Sequence, residues 1–237
     1  MYRDPRGGHN QKSFSENFFK TWSPSMAYIL GFISADGAVI DARKSSRTCY
    51  TSIVINDKDL LESIKKIMQS NHPIHKKPAR FTAFPKEKIY LCKESYSLRF
   101  GSKKMFQDLI NLGITPRKSL RLKLPSQLPN KYLQFFIRGY FDGDGCVSID
   151  KRKNKYPSII QVIFTSGCKS FLEDLSQQLS RHIKIKIHKT LSSGNGTYQL
   201  RYKKTETIKI LQFMYKDLES APYLERKYII AKPYLAI

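Results

Sequence analysis

The sequence predicts an α+β fold built by internal duplication, and three observations carry that prediction. Two glycine-rich stretches, "ILGFISADG" (29–37) and "IRGYFDGDG" (137–145), share one template and place their last aspartates 108 positions apart (144 − 36). Each is followed by the same succession of β-prone and helix-prone segments. Each half closes on a similar basic stretch, "PRKSLRLKLP" and "LERKYIIAKP", with Lys118 and Lys227 offset by 109 (227 − 118). Self-similarity at a fixed spacing marks repeated units, and alternating runs of strand and helix point to layered α+β halves.

In the first copy Ser23 is a good N-cap and Pro24 suits the first helical position. The helix is expected through "SMAYILGFISAD" and ends where Gly37 can take a left-handed cap. "AVIDAR" and the β-branched "TSIVIND" read as strands, and "KDLLESIKKIM" reads as an amphipathic helix. "YSLRFGSKK" leads into a second helix, "MFQDLINLG". The second copy repeats the order with "CVSIDKR", "SIIQVIFTS", "KSFLEDLSQQL", "YQLRYKKTE" and "TIKILQFMYKD". "PSQLPNK" (125–131), with two prolines among polar residues, reads as the linker. Residues 1–24 thus form a basic arm, 25–128 a first repeat and 129–237 a second. Each repeat is an α-β-β-α-β-β-α unit with a four-stranded antiparallel sheet and helices on one face.

The chain has 237 residues, 41% of them hydrophobic, enough to build real cores. Lys and Arg number 42 against 19 Asp and Glu, a formal charge of +23. Such an excess repels itself and suits a polyanionic partner: nucleic acid, an anionic membrane surface or an acidic protein. There is no run of eighteen apolar residues, so no membrane span is expected. "MYRDPRGGHNQKSFSENFF" lacks the apolar core of a signal peptide, so secretion is not expected either. Cys49, Cys92, Cys146 and Cys168 have no C-x-x-C spacing, which excludes a zinc ribbon or finger. They read as free thiols of a reducing, intracellular compartment.

Small residues sit four apart on one face of each motif helix: Gly31 and Ala35, then Gly139 and Gly143. That spacing lets two helix backbones approach closely. If the two helices pack together, the duplication becomes an internal pseudo-dimer, and Asp36 and Asp144 emerge side by side. Two adjacent carboxylates repel unless a cation lies between them, and hard oxygen donors suit Mg²⁺ (or Mn²⁺). A single Asp-Gly is more simply a helix-to-strand turn. Two copies in equivalent places, each on a helix built for close packing, favour a functional pair.

These stretches resemble the paired motifs of LAGLIDADG homing endonucleases in the single-chain, two-repeat form, and the resemblance covers nearly the whole chain after residue 24. The first copy departs from the family pattern with Ser34 where an acid is usual. The second has Asp142, expected to hydrogen-bond or cap. The resemblance implies that Asp36 and Asp144, with the carbonyls of Ala35 and Gly143, hold divalent ions. It also implies that Lys118 and Lys227 stabilise charge and orient water. Plain neutralisation of phosphate is the competing role for these lysines. Asp57 lies near the place of a polar residue that orders solvent in relatives, while Gly167 stays unassigned.

The implied activity is site-specific hydrolysis of one phosphodiester in each strand of a long asymmetric double-stranded DNA, leaving short cohesive ends. The protein would act as a monomer in a compartment containing DNA. An intron-splicing maturase, with intron RNA as partner, or a non-cleaving nucleic-acid-binding regulator would fit the same scaffold. In either case the two sheets form a saddle for the nucleic acid.

Strand alternation then selects the residues on that saddle. Thr51, Ile53 and Ile55 face the helices, leaving Tyr50, Ser52 and Asn56 outward. Ser97 and Arg99, then Gln199 and Arg201, take the same face, and Gln161 of "SIIQVIFTS" joins the candidates for DNA contact. In "HIKIKIHK" the isoleucines 183, 185 and 187 are expected inward and Lys184, Lys186 and His188 outward. Arg, Lys, Gln and Ser on strands suit major-groove readout. Arg43, Lys44 and Arg47 of one hairpin loop, and Lys151, Arg152 and Lys155 of the other, suit phosphate.

Overall fold

The computed structural model describes residues 12–84, 88–150, 159–194 and 196–235. Ser23 accepts from the Met26 amide at 3.1 Å and starts helix α1, Pro24–Asp36, with proline in its first turn. Every residue of α1 from Met26 to Ser34 is buried. A helix apolar on all sides belongs at the centre of a core. Its counterpart α5, Leu133–Asp144, is buried from Leu133 to Asp142 with the sole exception of Gln134.

The first repeat continues with β1 (Gly37–Ala42), a single helical turn α2 (Arg43–Ser46), β2 (Thr48–Ile55) and α3 (Lys58–Ile67). Then come β3 (His75–Lys77), β4 (Arg80–Phe84), β5 (Lys88–Cys92), β6 (Ser95–Gly101) and α4 (Lys103–Asn111). The second repeat runs α5, β7 (Gly145–Asp150), β8 (Ile159–Ser166), α6 (Lys169–Ile183), β9 (Leu191–Gly194), β10 (Thr197–Lys203), α7 (Lys204–Tyr215) and α8 (Glu225–Ala231). The two main sheets have orders β1-β2-β6-β3 and β7-β8-β10-β9, antiparallel throughout. The duplicated α+β architecture is therefore as expected.

Each sheet turns one face to its helices. On β2, Cys49, Thr51, Ile53 and Ile55 are buried, whereas Tyr50, Ser52 and Val54 are not. Ile53 pairs with Leu98 and Thr51 with Phe100 across β6, so both strands feed the same layer. In the second repeat Phe164 lies opposite Leu200, and Val162 opposite Tyr202, all buried. Leu60, Leu61 and Ile64 of α3 cover the first sheet; Phe171, Leu172, Leu175 and Leu179 of the longer α6 cover the second.

The described part of the N-terminal arm does not stand apart. Ser13 and Asn71 exchange hydrogen bonds, the Ser15 amide donates to Met68 O at 2.9 Å, and Phe14 packs on Phe100 and His72.

Four expectations are corrected. Gly37 is extended (φ −81°, ψ 153°), not left-handed. A Cβ there would lie 2.7 Å from the Ile33 Cα, so glycine is required by the tight exit from the helix. The first repeat also inserts a separate hairpin, β4–β5, which the four-stranded expectation did not include. "HIKIKIHK" is not a strand: α6 runs on to Ile183, and Lys184 then takes a left-handed conformation (φ 54°). The amides of Lys186 and His188 donate to Glu206 Oε1 and Ser176 Oγ, so side chains take the donors that a ladder would need. Ile185 is buried as expected, but Ile187 is 64% exposed.

Candidate active site

The two motif helices touch backbone to backbone. A Cβ on Gly31 would lie 2.1 Å from the Phe136 carbonyl oxygen, and one on Gly139 would lie 2.0 Å from the Tyr28 carbonyl oxygen. One turn on, a Cβ on Gly143 would meet Ala35 Cβ at 2.4 Å and Asp36 Oδ2 at 3.5 Å. The small residues therefore do what their spacing suggested. As the final residues of α1 and α5, Asp36 and Asp144 stand together at one end of the helix pair.

Each carboxylate keeps a solvent-facing side while protein surrounds the rest. Partial burial raises both above the usual carboxylate range, most clearly Asp144, pushed up to about 6 by burial and then by the Asp36 charge. Lys118 and Lys227 pull both back down. Among the described residues no cluster of three or more His, Cys, Asp or Glu side chains could enclose a metal. Two carboxylates are nevertheless the usual protein share of a magnesium site, where water and phosphate oxygens complete the shell. Proximity, shared negative charge and all-oxygen chemistry make the pair fit for a divalent cation.

Both lysines reach this end of the helices from distant segments. Lys118 sits in a 3-10 turn, Lys118–Leu120, and is 7% exposed; its Nζ donates to the Ala35 carbonyl at 2.9 Å. Lys227, on α8 and 5% exposed, donates to the carbonyls of Phe141 (2.6 Å), Asp142 (2.9 Å) and Gly145 (2.6 Å). An ammonium has three donors, so Lys227 commits all of them to the end of α5. Burial draws both lysines down, Lys227 to about 8. Of the two aspartates, Asp144 weighs most on Lys118, whereas Asp36 weighs on Lys227. The Ala35 carbonyl keeps a second lone pair besides the one Lys118 uses.

Asp142 is a buried hydrogen-bonding residue. Its Oδ2 accepts from Tyr28 Oη at 2.7 Å and from the Leu224 amide at 2.8 Å. Ser34, its counterpart in the first motif, only turns back to the Leu30 carbonyl at 2.8 Å. Asp57 forms an ion pair with Arg226 at 3.1 Å. Gly167 lets the Ser119 carbonyl approach to where a Cβ would stand 2.9 Å away. Sequence reading missed Arg138, fully buried, whose guanidinium holds the carbonyls of Met214, Asp217 and Ala221. A lone arginine inside the apolar "FFIRGYF" was the available signal.

The outward faces of the two sheets flank the aspartates. Tyr50, Ser52, Asn56, Ser97, Arg99, Gln161, Gln199 and Arg201 all lie open or half-open, as alternation required. Arg99 stacks 3.6 Å over the Tyr50 ring, and Arg201 Nε donates to Gln199 at 2.9 Å. Lys44 and Arg47 are exposed in the β1–β2 loop. Arg43 is exposed in the same loop, where it pairs with Asp41 and lies 5.9 Å from the Phe106 ring of α4. His188 is on the helix side, paired with Glu206 at 2.8 Å and packed on Tyr202. Lys184 and Lys186 are exposed but belong to no strand. Lys151, Arg152 and Lys155 lie outside the described residues.

Residues 131–214 match the family model described as a LAGLIDADG-like domain. No curated protein matches the sequence. Among solved structures, the homing endonuclease I-WcaI bound to its DNA recognition sequence is similar at 12% identity over 91% of each chain, with a TM-score of 0.58. The LAGLIDADG meganuclease I-CpaMI bound to uncleaved DNA aligns over 92% of each chain at 15% identity and a TM-score of 0.55. I-SmaMI, bound to an uncleaved DNA target in the presence of calcium ions, gives 14%, 91% of each chain and 0.53. Residues 131–214 thus match a LAGLIDADG-like domain, and the fold shared with these structures extends over about nine-tenths of the chain.

Proposed function

We propose that the chain is a metal-dependent, site-specific endonuclease that binds a long asymmetric DNA duplex and hydrolyses one phosphodiester in each strand, leaving short cohesive ends. The observation that carries this is the pairing of Asp36 with Asp144 between two buried lysines, where two sheets with polar and basic faces meet. Structures of similar fold bound to DNA, one of them with calcium ions, support the reading.

Asp36 and Asp144, assisted by the Ala35 and Gly143 carbonyls, would hold Mg²⁺ (or Mn²⁺). Bound divalent cations activate water and neutralise charge on the phosphate and the leaving oxygen. Lys118 commits one donor to Ala35 and directs its remaining N–H groups toward water or phosphate. Lys227, its three donors engaged, contributes a fixed positive charge at the end of α5. Tyr50, Ser52, Asn56, Ser97, Arg99, Gln161, Gln199 and Arg201 read the grooves, and Lys44 and Arg47 hold phosphate. Both motifs lie in one chain, so the protein works as a monomer within a compartment that contains DNA.

The test is cleavage of a randomised duplex library with Mg²⁺, followed by sequencing of the cut ends. Recovery of one long asymmetric site is expected. Binding with no cutting under any divalent cation would overturn the nuclease in favour of a non-cleaving binder.

A further inference from the structure

The two motif helices match position for position, yet one polar contact between them has no partner under the symmetry. Tyr28 of α1 corresponds to Phe136 of α5, and Asp142 of α5 corresponds to Ser34 of α1, both at the offset of 108 that relates Asp36 to Asp144 (136 − 28 and 142 − 34). The contact Tyr28–Asp142 is polar, whereas its symmetry mate is Phe136 with Ser34, which cannot form it. The same Asp142 oxygen accepts from the amide of Leu224, the residue capping α8. Three residues further on, Lys227 returns to the main-chain oxygen of Asp142 itself and to the carbonyls of Phe141 and Gly145. A closed circuit thus runs from the first repeat through Asp142 to the start of α8, and back through Lys227 to the helix end that bears Asp144.

We propose that Tyr28 and Asp142 are positioning residues that seat α8, and thereby Lys227, for one of the two strand cleavages only; this rests on the nuclease reading above. Among the described residues Lys118 has no such tether to Asp142. Its segment is braced instead by Gly167 under the Ser119 carbonyl and by the Cys168 thiol, which donates to the Leu122 carbonyl at 3.3 Å. Loosening the Asp142 circuit therefore shifts one lysine and leaves the other in place. Both bonds to Asp142 converge on a single oxygen, while Oδ1 has no partner among the described residues. An asparagine carbonyl can accept both, so the amide variant keeps the circuit and a leucine breaks it.

The experiment uses the full chain and the duplex recovered from the library, labelled on each strand in separate reactions. Asp142→Leu is expected to slow one strand about tenfold and leave the other within about twofold, so that nicked duplex accumulates. Tyr28→Phe, which removes only a hydroxyl, gives a smaller split in the same direction, and Asp142→Asn restores even cutting. In parallel, hydrogen exchange without DNA reads the segment 216–232, which Asp142→Leu deprotects and Asp142→Asn does not. Equal slowing of both strands, or unchanged exchange in that segment, overturns the positioning role. Failure of the unaltered protein to cut overturns the nuclease reading alone, since the exchange arm still decides whether the circuit holds α8.

Discussion

The two repeats solve one geometric problem with different materials. At the helix contact they are equivalent: Gly31 and Gly139 each admit a facing carbonyl where a Cβ would stand about 2 Å away. At the lysines they diverge. Lys118 makes one bond from a 3-10 turn, whereas Lys227 makes three from α8, and only the second motif has an acid to anchor that helix. The sheets diverge further, with the β4–β5 hairpin inserted in the first repeat and a longer α6 in the second. Where both repeats must meet one another, sequence variation is closed off by contact. Where each meets only itself, several arrangements place the same charge.

The strongest way to break this comparison lies at the shared contact. Gly31→Ala and Gly139→Ala are each expected to destabilise by about 3 kcal/mol or more, since a rigid backbone carbonyl cannot yield, and thermal unfolding reads the loss. Gly113→Ala, at φ +90° but with open space around it, should cost about 1 kcal/mol. A Gly31→Ala protein as stable as the unaltered chain would refute the close contact.

Next come the aspartates. Asp36→Asn and Asp144→Asn should each reduce cleavage at least about a hundredfold while leaving affinity for the duplex largely unchanged, measured by single-turnover kinetics and gel shift. Full activity in either variant would separate the repeats, leaving one acid sufficient.

The lysines sharpen the asymmetry. Lys118→Met should slow cleavage with little change in stability. Lys227→Met strands three carbonyls and should also lower stability, by about 2 kcal/mol in chemical denaturation. Equal effects on stability would mean that the extra bonds of Lys227 count for nothing.

The smallest effect is one of pH. With Asp144 raised to about 6, protons compete with a divalent cation for it. Protonation removes the charge, so affinity should weaken as pH falls through about 6 and level off above it. Calcium titration by calorimetry at several pH values tests the sign. Stronger binding at pH 5 than at pH 8 would exclude Asp144 as the ligand.

Much of the site was legible in the residues. The Gly31/Ala35 and Gly139/Gly143 spacings announced the helix contact, because a 3.6-residue period places residues four apart on one face. Alternation in "TSIVIND" and "YSLRF" sorted inward from outward side chains correctly, because the pleat has a period of two. The same reasoning failed for "HIKIKIHK", where isoleucines and lysines alternate in a segment with no ladder. A pattern reports which residues can share a face, not whether a neighbouring strand exists to pair with. His188 turned to the helix side for a related reason: the carboxylate of Glu206 lies there. A cation's direction is set by the nearest anion it can reach.

By itself, then, the sequence determined the duplication, the helix pair, the aspartates at its end and the faces of the main strands. These follow from local periodicity and from the steric needs of glycine. Only the tertiary structure decided which atoms the lysines hold, that Asp142 ties α8 to Tyr28, and that Gly37 serves clearance rather than handedness. The Tyr28–Asp142 bond joins residues 114 positions apart, and Lys118 reaches Ala35 across 83. No periodic signal links such distances. They are fixed when two apolar helices pack at van der Waals contact and most of the polar groups buried with them find partners.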